Sequence, residues 1–569
     1  MDFQENLKKS LNIDEILANL LYQRGIKTFD EAKKFFRPNL KDLYSPFLMK
    51  DMDLAVKRIE KAIENKEKIL IYGDYDVDGT TSVALVYSFF KEIYNNLDYY
   101  IPDRYTEGYG ISYQSINFAV ENKFSLVIAL DCGIKAIEKI NYANKNNLDF
   151  IICDHHETAD ILPEAVAILD AKRSDCNYPF KELSGCGVSF KLIQAFSEKN
   201  NFPFENLIKY LDLVVVSIAS DIVQIIDENR ILAYFGLKQL NENPSVGLKK
   251  IIKIAGLKNK EINISDIVFR IGPRINAAGR IDKGKKATHL LTETNEKKAE
   301  KICYKIDDFN VFRKNLDTNI TKEALHFIKE DLEFHKKKTT VLYDENWNKG
   351  VIGIVASRLI ETHYRPTVIL TKSDDGIATA SARSVDGFDL YSAMEKCSDL
   401  FIAFGGHKYA AGLTLEIKNI PIFKERFEKI VAETITEEQL KDKIEIDMKI
   451  NFDDITPKFF RILKQFSPFG PENKSPVFAS TNIFNWGNAK NVGKKKEHIK
   501  LYLGQFINKK LSNNFFNSIG FGMGNYLSPI KKDLSFHICY SVIENSFQDR
   551  KSLELNLKDI KIIDIENEK

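Results

Sequence analysis

The sequence predicts an α/β protein with a β-rich C-terminal region, and three observations carry that reading. From about 51 to 245, short apolar runs alternate with amphipathic helical stretches, the pattern of a parallel sheet covered on both faces. A second, smaller α/β unit follows at about 336–440. From about 441 to the end, short strands separated by turns fit a small barrel or sandwich.

The elements follow in order. Residues 1–50 are polar and helical in pattern, with PNLKDLYSPF as a loop. A helix over 51–65 precedes strand KILIYG and the helix TTSVALVYSFFKEIY. Strand SLVIALDCG, helix KAIEKINYANKN, strands DFIICDHHE and AVAILDAK, and helices near 187–199 and 206–219 complete the first lobe. A connecting segment, 246–335, ends in a highly charged stretch with apolar residues at helical spacing, which reads as one long helix or two. The second unit has strand TTVLYDE, helix GVIGIVASRLIETH, strands PTVILTK and GIATASARS, and the Gly-rich FGGHKYAAG. By itself FGGHKYAAG also fits a plain tight turn with a buried helix start. The strands expected in the tail are KIEIDMKI, PVFASTNIFNWGNAKNV, HIKLYLG, FNSIGFGM, DLSFHICYSVIEN and SLELNLKDIKII.

Composition limits the function classes. The 569-residue chain carries a net charge of only +2, so any nucleic-acid surface must be a local basic patch. The start lacks the apolar core of a secretory signal, and no run reaches the ~18 apolar residues of a spanning helix. Seven cysteines form no CxxC pair, which reads as reduced thiols and a cytoplasmic protein.

Chemistry concentrates at strand ends. IYGDYDVDGTTS places Asp74, Asp76 and Asp78 just beyond an apolar strand, where like charges repel and lose hydration. Asp131 ends SLVIAL; Asp154, His155, His156 and Glu157 end DFIIC; Asp221 follows LVVVSIAS. Strand carboxyl ends in a parallel sheet lie along one edge, so these segments should converge on one crevice. Such a cluster is tolerable around cations, and mixed oxygen and imidazole donors suit Mn²⁺ or Mg²⁺ better than structural zinc. Two divalent ions ~3.5–4 Å apart could share Asp131 as a bridge and activate a water. One of the two histidines would ligate, while the other orients a ligand or contacts phosphate. The blander alternatives are a calcium loop and helix caps. The calcium loop fails because Leu85 stands where its bidentate Glu is required; for Asp131 alone a helix cap stays open.

DYDVDGTTS, LDCG, DHHE and ASDIV, in this order, resemble the four motifs of the DHH phosphoesterases. RIGPRINAAGRI, WNKGVIGIVASRL, SARSVDGFDL, FGGHKYAAG and FGPENKSPVF resemble further segments of that family's bacterial single-strand-specific exonucleases. The resemblance runs from about residue 20 to the C-terminus. It implies a DHH catalytic lobe at 51–245, a DHHA1 lobe at 336–440 joined to it by a long helix, and an OB-like domain over 441–569. It also implies a 5′→3′ exonuclease that releases 5′-mononucleotides from single-stranded DNA with two Mn²⁺ or Mg²⁺ ions, in repair and recombination. A monomer is expected, with a helicase and a single-strand-binding protein as possible partners and no membrane.

Carried over residue by residue, the resemblance makes Asp74 and Asp76 the first metal pair, with Asp78 beside them. Asp131 becomes the bridging ligand, His155 the imidazole ligand and Asp221 the ligand that closes the second site, with Asp154 and His156 supporting or contacting phosphate. Arg104 and Tyr109 would hold the nucleotide chain. Arg274, Asn276 and Arg280 would contact the terminal phosphate and backbone, and Ser381, Arg383, Gly406 and His407 the scissile phosphate. Two departures from the family pattern are Asn348 after Trp347, where His is frequent, and Phe312-Arg313-Lys314 on the connecting helix.

In the tail, Lys494, Lys495, Lys496 and His498 beside Tyr502 read either as a solvated turn or as a phosphate contact. Phe484 and Trp486 either stack bases or fill the barrel. Two rival functions remain at this stage. A DHH enzyme for cyclic dinucleotides, very short oligonucleotides or pyrophosphate should lack the tail and carry His ahead of the first Asp pair, where this chain has Leu70 and Tyr72. A non-catalytic DNA-binding scaffold should have lost carboxylates, and every ligand candidate is present.

Overall fold

All positions of the strands Ile69–Gly73 and Leu126–Leu130 are buried, as a strand covered by helices on both faces requires. The first sheet comprises β1 (Ile69–Gly73), β2 (Leu97–Tyr100), β3 (Leu126–Leu130), β4 (Asp149–Cys153) and β5 (Ala167–Leu169). All its pairings are parallel, in the order β2-β1-β3-β4-β5. The chain steps from β1 to one side for β2 and to the other for β3. That reversal opens a crevice beyond the carboxyl ends of β1 and β3. Helix Val77–Lys91 packs against helices Gly185–Lys199 and Leu211–Ser220.

The computed structural model describes residues 3–281, 284–530, 535–547 and 550–563. It forms two units: Pro46–Asp221 with Gln239–Lys443, and Met1–Ser45 with Ile222–Lys238 and Ile444–Lys569. In the first unit the connection is a single helix, Glu296–Glu330, of 35 residues, not two. Its buried stripe repeats every three or four residues but turns polar at Asn310, Arg313 and Asp317 before returning to Ile320, Ala324 and Ile328. The second sheet follows, with β6 (Thr340–Tyr343), β7 (Thr367–Asp374), β8 (Ile377–Arg383), β9 (Phe401–His407) and β10 (Ala410–Glu416), ordered β6-β7-β8-β10-β9. Helix Ile352–Thr362 packs on β7 and β8. FGGHKYAAG is neither a simple turn nor a helix start: it is the β9–β10 hairpin, pairing His407 with Ala410.

The second unit holds β11 (Met448–Lys449), β12 (Phe478–Asn485), β13 (Lys490–Val492), β14 (His498–Ile507), β15 (Lys510–Leu511), β16 (Phe516–Gly520), β17 (Phe536–Phe547) and β18 (Arg550–Ile562). β12, β17, β18, β16 and β14 pair in sequence, and β12–β14 pairing closes them into a five-stranded barrel. Two expectations change here. KIEIDMKI is strand only at Met448–Lys449, and PVFASTNIFNWGNAKNV breaks into β12 and β13 around Gly487, whose φ is 116°. Asp533 and Leu534 of the expected strand DLSFHICYSVIEN lie outside the described residues. The N-terminal helices are not a free-standing segment: Leu7, Leu17, Leu20 and Leu21 share one core with Phe452, Phe459, Phe478 and Tyr540 of the barrel region. No described helix is long and apolar enough to cross a membrane.

Candidate active site

The crevice beyond β1 and β3 gathers the acidic segments. Asp76 caps helix Val77–Lys91, accepting from the amide of Gly79 at 2.9 Å. Asp131 leaves β3 in the left-handed region, φ 60°, a conformation Asp tolerates at some cost and one that recurs at functional sites. His155 sits centrally: its Nε2 lies 3.2 Å from Asp131 Oδ1, 3.6 Å from Asp221 Oδ2 and 3.7 Å from Asp78 Oδ2. Two triads thus have mutually close donor atoms, Asp131-His155-His156 and Asp78-His155-Asp221. Asp74 and Asp76 belong to neither triad, but Asp76 adds to the negative field at Asp131.

Burial and mutual repulsion make this cluster unfavourable as charged carboxylates alone. Asp74 is fully buried and neither of its oxygens makes a well-formed hydrogen bond, although the nearby Tyr75 and Gly110 amides offset part of the effect of burial. Asp131 Oδ1 is likewise buried without one. Burial, then Asp76, pushes the Asp74 carboxyl far above the usual range. Burial, then Asp78 and Asp76, does the same to Asp131. Asp221 keeps 30% side-chain exposure and still rises to about 8 through burial, Asp78 and Asp76. Burial lowers the His155 pKa, which favours the neutral imidazole that ligates metals. Carboxyl oxygens that cannot share this space as bare anions, beside a neutral imidazole, fit a hard or borderline divalent cation that would favour their ionised form.

The remaining members of the cluster are held in place. Asp78 accepts from the amides of Gly185 and Cys186 and from Ser217 Oγ, each at 2.7 Å. Its carboxylate therefore caps helix Gly185–Lys199 while keeping its place near His155. Asp154 accepts from the amide of Ile134 at 3.0 Å and meets His156 Nδ1 at 2.6 Å. Burial is the largest influence on Asp154 and would raise it, but the bond and charge of His156, the Ile134 amide and His155 together bring the group down to about 2. Burial is likewise the largest influence on His156 and would lower it, but the bond and charge of Asp154, with the charges of Asp221 and Asp78, together raise it to about 9, which favours the imidazolium. Tyr109 closes over the pair, with Oη 3.1 Å from His156 Nε2 and 3.2 Å from the Asp131 carbonyl.

Opposite the acids lies a cationic group. Arg280 is lowered to about 10 by burial and by Arg104, Arg313 and Arg383 around it. Arg280 Nη1 donates to the Gly350 carbonyl at 2.9 Å, and Tyr105 Oη donates to the Arg280 carbonyl, tying the DHHA1-like lobe to the first. Arg383 Nη1 donates to Ser381 Oγ at 3.1 Å, so those two expected residues sit together at the end of β8. His407 is exposed at the β9 hairpin, and its pKa is lowered by burial and by His156 across the crevice. Gly406 leaves room there: a Cβ would collide with the Ala410 backbone. Arg274 is more committed, its Nε bonded to Asp307 at 2.8 Å, and Asn276 is half-buried on the same helix, Gly272–Ile281.

Sequence reasoning missed several participants. Gly185 and Ser217 reveal their link to Asp78 only in three dimensions, although the paired glycines of SGCG mark a crowded helix start. The polar break in the long helix is the visible signal for Asp317, which pairs at 2.9 Å with Arg313 of the Phe312-Arg313-Lys314 departure, with Arg358 adding a second bond to Asp317 at 2.8 Å.

A parallel sheet with carboxylates and imidazoles at its carboxyl edge, beside a group of arginines drawn from the first lobe, the connecting segment and the second lobe, is the arrangement of a phosphoesterase of the DHH class. The DHH family N-terminal domain matches residues 68–218, the DHHA1 domain residues 336–433 and the RecJ OB domain residues 446–559. A "Single-stranded-DNA-specific exonuclease RecJ" of Bacillus subtilis is 36% identical over 560 residues, 98% of this chain and 69% of that protein. A solved structure of Thermus thermophilus RecJ in complex with Mn²⁺ superposes with a TM-score of 0.82 at 24% identity, covering 98% of this chain and 77% of that one, which shows the shared fold. A further structure, "exonuclease RecJ bound to manganese", is 28% identical with a TM-score of 0.60 over 71% of this chain and 100% of that one. The chain belongs to the RecJ family of the DHH phosphoesterases.

Proposed function

We propose that the protein is a single-stranded-DNA-specific 5′→3′ exonuclease that releases 5′-mononucleotides by metal-dependent phosphodiester hydrolysis. One observation carries the reading: the orphaned buried oxygens of Asp74 and Asp131, gathered with His155 and Asp221, face a group of arginines in a chain of this family. Asp74, Asp76, Asp131, His155 and Asp221 would hold the cations. The chemistry supplied by bound Mn²⁺ or Mg²⁺ is water activation and neutralisation of charge on the phosphoryl oxygens. Asp78 and Asp154 hold their neighbours in place, and the His156 cation offers a proton donor to a non-bridging oxygen. Ser381, Arg383, Gly406 and His407 receive the scissile phosphate; Arg104, Tyr109, Arg274, Asn276 and Arg280 hold the chain that leads to it.

The barrel adds a strand-binding surface. Phe484 packs with Trp486 at 5.7 Å and Phe506 at 4.8 Å, and Trp486 packs with Phe515 at 5.2 Å. Trp486 is 57% exposed, so this strip is not barrel filling alone. Exposed rings accept stacked bases, and Lys494, Lys495 and Lys496 lie exposed in the β13–β14 turn. A cytoplasmic monomer that draws its single strands from a helicase or a single-strand-binding protein is consistent with this chemistry.

The test is degradation of 5′-labelled single-stranded DNA with Mn²⁺, beside the same DNA as a blunt duplex. Immediate release of labelled mononucleotide from the single strand alone is expected. Shortened strands that keep the label would refute the polarity, and binding without cleavage would favour the scaffold.

A further inference from the structure

The loop between β2 and helix Tyr113–Glu121 carries two residues of the proposed substrate path, Arg104 and Tyr109. It is not a regular element, and Tyr109 stands between two glycines in the left-handed region, Gly108 at φ 82° and Gly110 at φ 76°. Something must fix its shape. A short turn forms at its start: the Asp103 carboxylate accepts from the amides of Tyr105 at 2.8 Å and Thr106 at 3.1 Å, and the Glu107 amide donates to the Asp103 carbonyl at 2.9 Å. That turn fixes itself but does not attach to the sheet.

We propose that Glu107 is the positioning residue that fastens this loop and so aims Arg104 and Tyr109 at the substrate. The proposal rests on the exonuclease reading above. The Glu107 carboxylate accepts three bonds from three parts of the fold. Tyr100 Oη, at the end of β2, donates to Oε1 at 3.1 Å. The Asp103 amide, at the loop's start, donates to the same oxygen at 2.8 Å. Ser112 Oγ, at the loop's exit, donates to Oε2 at 2.6 Å. Ser112 also caps the following helix, accepting from the Ser115 amide at 2.9 Å. Tyr100 is itself anchored, stacked on Tyr72 at 5.8 Å, and Tyr72 Oη donates to the Gly110 carbonyl at 2.7 Å. One carboxylate therefore ties strand, turn and helix cap together.

Both cargo residues sit where that aim matters. The Arg104 guanidinium lies 5.0 Å from the centre of the Tyr75 ring, Tyr75 being the residue between Asp74 and Asp76 in sequence, and its charge reaches Arg280 and Arg383. Tyr109 Oη bonds at the metal-site edge, to His156 and the Asp131 carbonyl. Freeing the loop leaves the acidic cluster intact but lets both side chains wander.

The experiment compares wild type with Glu107→Ala and Glu107→Gln. Glutamine can keep all three bonds, with Oε1 accepting two and Nε2 donating to Ser112 Oγ. In Glu107→Ala, KM for single-stranded DNA and the Kd for the same strand in EDTA should both rise about tenfold, roughly the worth of one hydrogen bond to a charged group. The Mn²⁺-induced rise in Tm should match wild type in both variants, and Glu107→Gln should keep KM and Kd near wild type. A wild-type KM and Kd in Glu107→Ala, loss of the Mn²⁺ response, or a Glu107→Gln as impaired as the alanine would each overturn the proposal. A wild-type protein that binds the strand but never cleaves it would refute the exonuclease reading instead, and the EDTA binding series would still judge Glu107.

Discussion

Gly185 marks a tight point of the proposed metal site, and adding one methyl there should damage catalysis more than folding. A Cβ at this position would lie 2.6 Å from Asp131 Oδ1 and 2.8 Å from Asp131 Cβ and Cγ. Ordinary van der Waals contact begins at 3.4 Å, so Asp131 or the helix start must yield by about 0.8 Å. Both sides are held: Asp131 is 2% exposed, and the Gly185 amide donates to Asp78 at 2.7 Å. A misplacement near 1 Å at a reacting centre costs up to roughly a hundredfold, so Gly185→Ala should lower kcat about 10- to 100-fold. Gly187→Ala provides the control, because its nearest atoms lie at 3.4 Å and a helical alanine is favourable. The assay is steady-state release of mononucleotide with Mn²⁺, alongside thermal melts. Wild-type kcat in Gly185→Ala, or an equal loss in Gly187→Ala, would refute the reasoning.

Three further outcomes follow from the same geometry. Asp76→Ala and Asp131→Asn should each abolish cleavage while single-strand binding, measured by anisotropy, persists; full activity in either would remove that residue from the site. Stabilisation by Mn²⁺ should grow with pH. Asp221 titrates near 8 in the folded protein against about 3.9 unfolded, so the metal-free fold binds the extra proton and loses stability as pH rises between those values. A cation favours the ionised carboxylates, so the Tm gain from Mn²⁺ should be larger at pH 9 than at pH 6, and an equal gain would contradict the cluster's role. Trp486→Ala should weaken single-strand binding by on the order of 1 kcal/mol or more; unchanged affinity would assign the ring to packing.

The sheet and its acidic edge were legible because their causes are local. A fully apolar strand followed by a carboxylate announces its own end, and DYDVDG, LDCG and DHH each did so. The single long helix was legible from its charge and periodicity, though not its continuity. What stayed hidden depends on distant partners. The hold on Asp78 comes from residues 107, 108 and 139 positions away. The N-terminal stretch read as polar and helical, and periodicity cannot say that the partner of Leu17 is a barrel core formed by residues beyond 450. KIEIDMKI alternates like a strand, yet pairs only through Met448–Lys449, because a strand also needs a neighbour to bond.

The most direct test of the central claim is anomalous diffraction from crystals soaked in Mn²⁺. The account predicts anomalous peaks within coordination distance of Asp74, Asp76, Asp131, His155 and Asp221. Manganese-dependent cleavage by protein whose crystals show no peak in this crevice, or a peak elsewhere, would contradict it.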